Sequence, residues 1–158
     1  MRLHLFVLTS LLAGCGKGES SDLAAVVAQV AVAPAPQLVG ILAPFHWGMS
    51  RSEVTAACTA CKGKVWVWDE AGMSVELDAG ADGTLGTAMI GFRADPRPAL
   101  TKLWGEPKAL GKRKSLGGQD ECFAWDGDTQ HTHAELCVHI GADWKALEGR
   151  GDLALTRR

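Results

Sequence analysis

Two cysteines near the end of the chain, Cys122 and Cys137, constrain its fold more than any other feature. Each lies in a segment of alternating apolar and polar residues, 121–126 and 131–140, which is typical of a half-buried β-strand. If these strands form a hairpin with both apolar sets on one face, opposed residues must have numbers whose sum is odd. One such register sets the two cysteines opposite each other on the other face, where a disulfide closes a loop of about 16 residues and contributes roughly 3 kcal/mol. That register pairs Cys122 with Cys137, Ala124 with Glu135, Asp126 with His133 and Asp128 with His131, and leaves Thr129-Gln130 as the turn.

Two further cysteines, Cys58 and Cys61, have the Cys-x-x-Cys spacing. A redox pair of this kind needs a helix N-terminus, where the helix dipole stabilises the thiolate. This pair falls instead at the end of a predicted helix, and Lys62 stands where a c-type haem site requires His. Of the three connectivities that four cysteines allow, the two local disulfides are therefore favoured. Redox chemistry and metal binding at this pair are the alternatives.

The middle of the chain begins with a helix followed by strands. Ser50-Arg51-Ser52-Glu53 has the spacing of a capping box, which predicts a helix over about 50–61 that ends by Gly63. Period-two alternation of apolar residues then predicts strands, and Asp-Gly predicts a turn between the last two. The predicted strands are 64–69, 73–78 and 85–93, and the predicted turn is Asp82-Gly83.

A second helix-and-strands pattern starts at Asp95, the predicted N-cap, with Pro96 at the first helical position. Apolar residues at helical spacing continue to Gly105, which ends the helix. A basic loop over 108–118, the two cysteine-bearing strands and a short amphipathic helix around 142–147 complete the pattern. This order predicts an α+β fold, a small antiparallel sheet with two or three helices on one face. Two tandem helix-plus-strands units are the alternative arrangement.

The first fourteen residues have the pattern of an export signal, a positive charge at Arg2 followed by a short apolar stretch. The stretch ends in Leu12-Ala13-Gly14-Cys15, which resembles the lipobox of bacterial lipoproteins. The resemblance implies that the signal peptide 1–14 is removed and that acyl chains on Cys15 anchor the protein in a membrane, since stable anchoring takes at least two chains. Gly16 stands where Asp commonly marks inner-membrane retention, so the resemblance implies the outer membrane, facing the periplasm. The inner membrane and the cell surface are the alternatives.

The rest of the chain divides into a tether, a domain and a tail. Residues 15–44 are predicted as the lipidated N-terminus and a low-complexity tether, because the Ala-Pro repeat within them breaks any helix. The α+β domain is predicted over 45–147, and 148–158 as a loose tail. Gly48-Met49-Ser50-Arg51-Ser52-Glu53-Val54 resembles the helix start of many small periplasmic lipoprotein domains. Leu103-Trp104-Gly105-Glu106-Pro107 resembles the helix end of the SmpA/OmlA-like domains, which assist outer-membrane protein assembly.

One face of the last predicted strand carries His131, His133, Glu135 and His139. Two imidazoles in a His-x-His pattern lie within ~7 Å of each other on one strand face. They could chelate Zn, Cu or Ni with a third ligand from Glu135 or His139. A solvated polar face explains the same pattern and is favoured, and a cysteine held in a disulfide is no ligand. The sequence therefore assigns no metal and keeps His131, His133 and His139 as candidate ligands.

Composition and motifs limit the function. Lys plus Arg is 16 against 18 for Asp plus Glu, so no basic excess indicates a nucleic-acid partner. The chain has no glycine-rich phosphate loop, no G-x-S-x-G and no H-E-x-x-H, so we expect neither an enzyme nor a cofactor. The sequence predicts a non-enzymatic, membrane-anchored lipoprotein whose periplasmic domain binds a protein partner or supports an envelope assembly. The alternative is a periplasmic metal or small-ligand binding domain that uses the His131/His133/His139 strand face.

Overall fold

The computed structural model describes residues 18–61, 66–70, 72–115, 118–126, 132–140 and 148–158. These residues form three α-helices, one short 3-10 helix and seven β-strands. The helices are α1 (Gly18–Val27), α2 (Arg51–Ala57) and α3 (Arg97–Trp104), and the 3-10 helix is Gly40–Leu42. The strands are β1 (Val67–Glu70), β2 (Met73–Ala79), β3 (Leu85–Phe92), β4 (Lys108–Ser115), β5 (Gly118–Asp126), β6 (Thr132–His139) and β7 (Gly151–Arg157).

The strands form one antiparallel sheet in the order β1-β2-β3-β7-β6-β5-β4. The first three strands and the last four are each a meander, in which strands that follow one another in sequence are neighbours in the sheet. The meanders join where β3 pairs with β7, from Thr87 opposite Thr156 to Phe92 opposite Gly151. Because this pairing makes the sheet continuous, the alternative of two tandem units does not describe the fold.

The fold is β-rich, so the predicted α+β class with helices on one face of a small sheet is wrong. The three helices have only 10, 7 and 8 residues. The segment 108–118, predicted as a basic loop, contributes strand β4. Its cations do not alternate with apolar residues because β4 is an edge strand whose side chains stay largely in water. The predicted helix around 142–147 lies outside the described residues.

The C-terminal segment, predicted as a loose tail over 148–158, forms β7 between β3 and β6. Leu153 and Leu155 are fully buried, whereas Asp152, on the opposite face of β7, is exposed. This alternation is the usual pattern of a half-buried strand. A segment of this composition can be stable as a strand because both of its neighbours supply backbone hydrogen bonds.

Residues 15–44, predicted as the lipidated N-terminus and tether, join the fold from Gly18 onward. The indole N–H of Trp104 donates to the carbonyl oxygen of Val32 at 2.8 Å, which ties this segment to α3. The apolar side chains of the segment are buried because they complete the same core as the sheet. The buried hydrophobic residues are Val27, Val30, Ala31, Leu38 and Leu42. The folded body therefore begins well before the predicted start at Phe45.

The predicted capping box at the start of α2 is confirmed, whereas α2 ends at Ala57, short of the predicted helix end near residue 61. The Ser50 hydroxyl accepts a hydrogen bond from the Glu53 backbone N–H, and the Glu53 carboxylate accepts one from the Ser50 N–H at 2.7 Å, which completes the capping box of α2. The N-cap of α3 is Pro96, one residue after the predicted Asp95. The helix ends at Gly105, whose φ of 83° favours glycine.

Candidate site on the polar face of the sheet

The alternation along each strand divides the sheet into an apolar face and a polar face. The apolar face forms one buried cluster that includes Val27, Val54 and Leu100 from the three helices. The opposite face, called the polar face below, carries the other alternate side chains. Its members on β1, β2, β3, β5, β6 and β7 include Val67, Asp69, Ser74, Glu76, Met89, Gly91, Asp120, Cys122, Ala124, Asp126, His133, Glu135, Cys137, His139, Asp152 and Ala154.

The predicted cysteine pairing is confirmed on the polar face. Cys122 and Cys137 form a disulfide, and their Cα atoms lie 4.1 Å apart. The strands β5 and β6 have the predicted register, including Ala124 opposite Glu135. The predicted turn at 129–130 lies outside the described residues. The requirement that the apolar residues of both strands share one face thus predicted the disulfide and the strand register together.

The second pairing, Cys58 with Cys61, is also confirmed. Cys58 is the C-cap of α2, so the pair sits at the end of the helix, as predicted. The negative end of the helix dipole there disfavours a thiolate. This geometry favours a structural bond that closes the helix end.

The candidate histidines do not form one cluster in the described residues. The Nδ1 atom of His139 lies 2.9 Å from an Asp120 carboxylate oxygen, and that of His133 lies 2.8 Å from an Asp126 oxygen. The two histidines are six residues apart on one strand, which places them about 20 Å apart. One metal ion cannot bridge that distance, and His131 lies outside the described residues.

His139 is nevertheless an unusual group. It is 8% exposed, and its Nε2 has no hydrogen-bond partner among the described residues. The same Asp120 oxygen that holds its Nδ1 accepts a hydrogen bond from the Ser115 hydroxyl at 2.9 Å. Asp120 therefore fixes the orientation of the imidazole ring.

The described residues place three potential metal ligands close together, with atoms of Cys122, Glu135 and Cys137 within 4.8 Å of one another. Both sulfur atoms are bonded to each other in the disulfide. A disulfide sulfur is not a thiolate, and the thiolate is the form of cysteine that binds metal. The oxidised protein therefore offers only the Glu135 carboxylate at this position.

A groove of about 400 Å³ opens at one end of the polar face and is called the sheet-end groove below. Four strands build it, because Asp69, Ser74, Gly91 and Asp152 lie opposite one another in turn across β1, β2, β3 and β7. The remaining lining residues follow the ends of these strands or complete its walls, namely Gly72, Met73, Phe92, Arg93 and Arg150. Sequence reasoning missed this site because β7 was predicted as a tail, so nothing placed Asp152 beside Gly91.

Electrostatics differ between the two aspartates at opposite ends of the polar face. Desolvation by neighbouring atoms, and then repulsion from the Asp120 carboxylate, raise the pKa of Asp152, although part of its side chain is exposed. At the other end, the hydrogen bond from His133 lowers the pKa of Asp126, and Arg158 adds to the effect. The protein thus disfavours a negative charge at Asp152 and favours one at Asp126.

Comparison with known proteins identified no relative: no protein-family description, no curated protein and no solved structure matches this chain. Within the described residues, no helix is both long enough and apolar enough to cross a membrane.

Proposed function

We propose that this protein is a non-enzymatic lipoprotein of the bacterial envelope, held in the outer membrane by acyl chains on Cys15 and facing the periplasm. The pairing state of the five cysteines is the observation that supports this proposal. Four of the five cysteines are paired in two disulfides, and the remaining one is Cys15, which ends the lipobox-like Leu12-Ala13-Gly14-Cys15. Disulfides are typical of proteins exported to an oxidising compartment, which is where lipoprotein domains reside.

The position of α1 defines how such an anchor would work. The helix begins at Gly18, three residues after Cys15. Three fully extended residues span at most about 11 Å. In the proposed lipoprotein, the described start of α1 therefore lies within about 11 Å of the anchored cysteine along the chain.

A protein partner is the second part of the proposal. Val67 and Met89 are 40% and 38% exposed, and both lie on the polar face in the row that also contains Glu76 and Ala154. We infer that these two side chains, which lie on either side of Glu76 in this row, form part of a contact surface for another protein. The resemblance of 103–107 to SmpA/OmlA-like domains favours a partner that belongs to an envelope assembly.

Acyl labelling of the full chain in a bacterial host tests the anchor. Wild type and Thr9→Ala, a control within the same apolar stretch, are expected to incorporate labelled palmitate and to fractionate with outer membranes. Cys15→Ala is expected to lose the label and to leave the membrane fraction. A wild-type chain without label, or a Cys15→Ala chain that stays with membranes, would contradict the proposed anchor.

Site-specific photo-cross-linking in intact cells tests the partner. A photoreactive residue at Met89 is expected to give a discrete adduct with one envelope protein, because this position lies on the proposed contact row. The same residue at Lys102, an exposed position on α3, is the matched control. Equal adducts from both positions, or none from Met89, would remove the polar face as the contact surface.

A further inference from the structure

We propose that the sheet-end groove binds a small zwitterionic ligand, with its carboxylate held by Arg93 and Arg150 and its ammonium group held by Asp152. The site is separate from the histidine-bearing strand positions that the sequence singled out. It does not depend on whether Cys15 is lipidated.

The two arginines lie side by side at the end of the sheet. The last registered pair of β3 and β7 is Phe92 opposite Gly151, so Arg93 and Arg150 directly follow it on facing strands. Both line the groove, both are exposed, and among the described residues neither forms a salt bridge within 4.0 Å. Like charges placed opposite each other on neighbouring strands destabilise a sheet. An anion between the guanidinium groups would remove that cost, and a carboxylate matches their planar donor geometry.

Gly91 gives the groove a floor on which polar atoms converge. A Cβ atom at this position would lie 2.5 Å from the Ser74 hydroxyl oxygen and 3.3 Å from an Asp152 carboxylate oxygen. Both oxygens therefore lie close to the space beside the Gly91 Cα atom, one on each neighbouring strand. Among the described residues neither oxygen makes a hydrogen bond, so both are available to a ligand. Convergent polar groups in a concave site are what orient small ligands.

Charge balance selects a zwitterion. The groove holds two arginines and two aspartates, Asp69 and Asp152, so a ligand without net charge matches it best. A phosphate dianion would gain the arginines but would face both carboxylates. Arg150 and Asp152 are two residues apart on one strand, about 7 Å between Cα atoms. An extended amino acid can place its carboxylate and its ammonium group against these two residues at once.

An ammonium group beside Asp152 also suits the unusual environment of that residue. Desolvation and the Asp120 carboxylate raise the pKa of Asp152, whereas Arg150 and His139 lower it without reversing the shift. The protein's own cations therefore offset the unfavourable environment of the Asp152 carboxylate only in part. A ligand ammonium group would add a positive charge that favours the ionised carboxylate.

Calorimetry on the full-length chain in detergent tests the proposal with γ-aminobutyrate and alanine as zwitterions, and with acetate and ethylamine as their fragments. At least one zwitterion is expected to bind tenfold or more tightly than either fragment. The double variant Arg93→Ala/Arg150→Ala is expected to lose at least tenfold in that affinity. The control Lys102→Ala/Lys112→Ala removes the same charge from exposed positions elsewhere and is expected to change it less than twofold.

Two single variants separate binding from folding. Asp152→Asn is expected to weaken zwitterion binding at least tenfold, because the ammonium contact is removed, and to leave acetate binding no weaker, because a carboxylate that repels the anion is removed. Gly91→Ala is expected to lose binding by crowding Ser74, with an unchanged circular dichroism spectrum. The proposal is overturned if both zwitterions bind no more tightly than their fragments. It is equally overturned if the lysine control weakens binding as much as the arginine variant.

Discussion

The two faces of the sheet use the same strands for opposite purposes. On the apolar face, side chains from strands far apart in sequence form one cluster with the helices. On the polar face, charged pairs, a disulfide and the sheet-end groove take the alternate positions. Burial of apolar side chains thus stabilises the fold on one face, whereas covalent and electrostatic contacts act on the face that is exposed to ligands and partners.

The largest expected effect comes from the apolar face. Leu155→Ala creates a cavity at a fully buried position of the central strand, and such changes cost about 2–5 kcal/mol. Thr156→Ala, the neighbouring residue on the polar face, should cost within about 0.5 kcal/mol. Urea unfolding followed by tryptophan fluorescence measures both. Equal losses would mean that the two faces contribute equally to stability.

The next effect belongs to the disulfide of the polar face. Cys122→Ala/Cys137→Ala should lower the free energy of unfolding by about 3 kcal/mol, because the bond closes a loop with a separation of 15 residues. Cys58→Ala/Cys61→Ala opens a loop with a separation of only 3 residues and should cost about 2 kcal/mol. Denaturant unfolding of both variants gives the ranking. The reverse order would show that loop length does not set the relative contributions of the two disulfides.

A smaller effect concerns the helix that covers the apolar face. Ser50→Ala removes the side chain that caps α2 and should cost about 1 kcal/mol. Thr59→Ala, an exposed position after the same helix, is the control and should be neutral. Thermal unfolding of the two variants distinguishes them. A neutral Ser50→Ala would mean that packing of Val54 alone holds the helix in place.

The smallest effects are two pH dependences of opposite sign on the polar face. The pKa of Asp152 is raised in the fold, so the folded state holds the proton more tightly and stability falls as the pH rises through that range. Asp152→Asn should therefore raise the melting temperature slightly at pH 7 and have no such effect well below the ordinary aspartate pKa. The pKa of Asp126 is lowered, so its contribution is present at pH 7 and is lost as the pH falls. Asp126→Asn should lower the melting temperature at pH 7. Melting curves of both variants between about pH 2 and pH 7 test these predictions, and shifts of the same sign at pH 7 would contradict them.

Local chemistry made part of this structure predictable from the sequence. The register of β5 with β6, both disulfides and the capping box at Ser50 depend on residues close in sequence, and each was predicted. Strand β4 was missed because an edge strand needs no apolar alternation. Strand β7 was missed although Leu153 and Leu155 alternate, since its stability comes from two neighbours that local patterns do not reveal. The groove was missed for the same reason, because it exists only where β7 meets β3.

The central place of β7 has a consequence for biosynthesis. The ribosome makes the chain from its N-terminus, so this strand emerges after the other six, yet it separates β3 from β6 in the sheet. Until it appears, the nascent chain can form at most two three-stranded meanders, each with an unpaired edge that waits for the same partner. Completion of the sheet is thereby delayed until β7 has been made. Strand β7 therefore acts as the closing step of the fold, because it joins the two meanders.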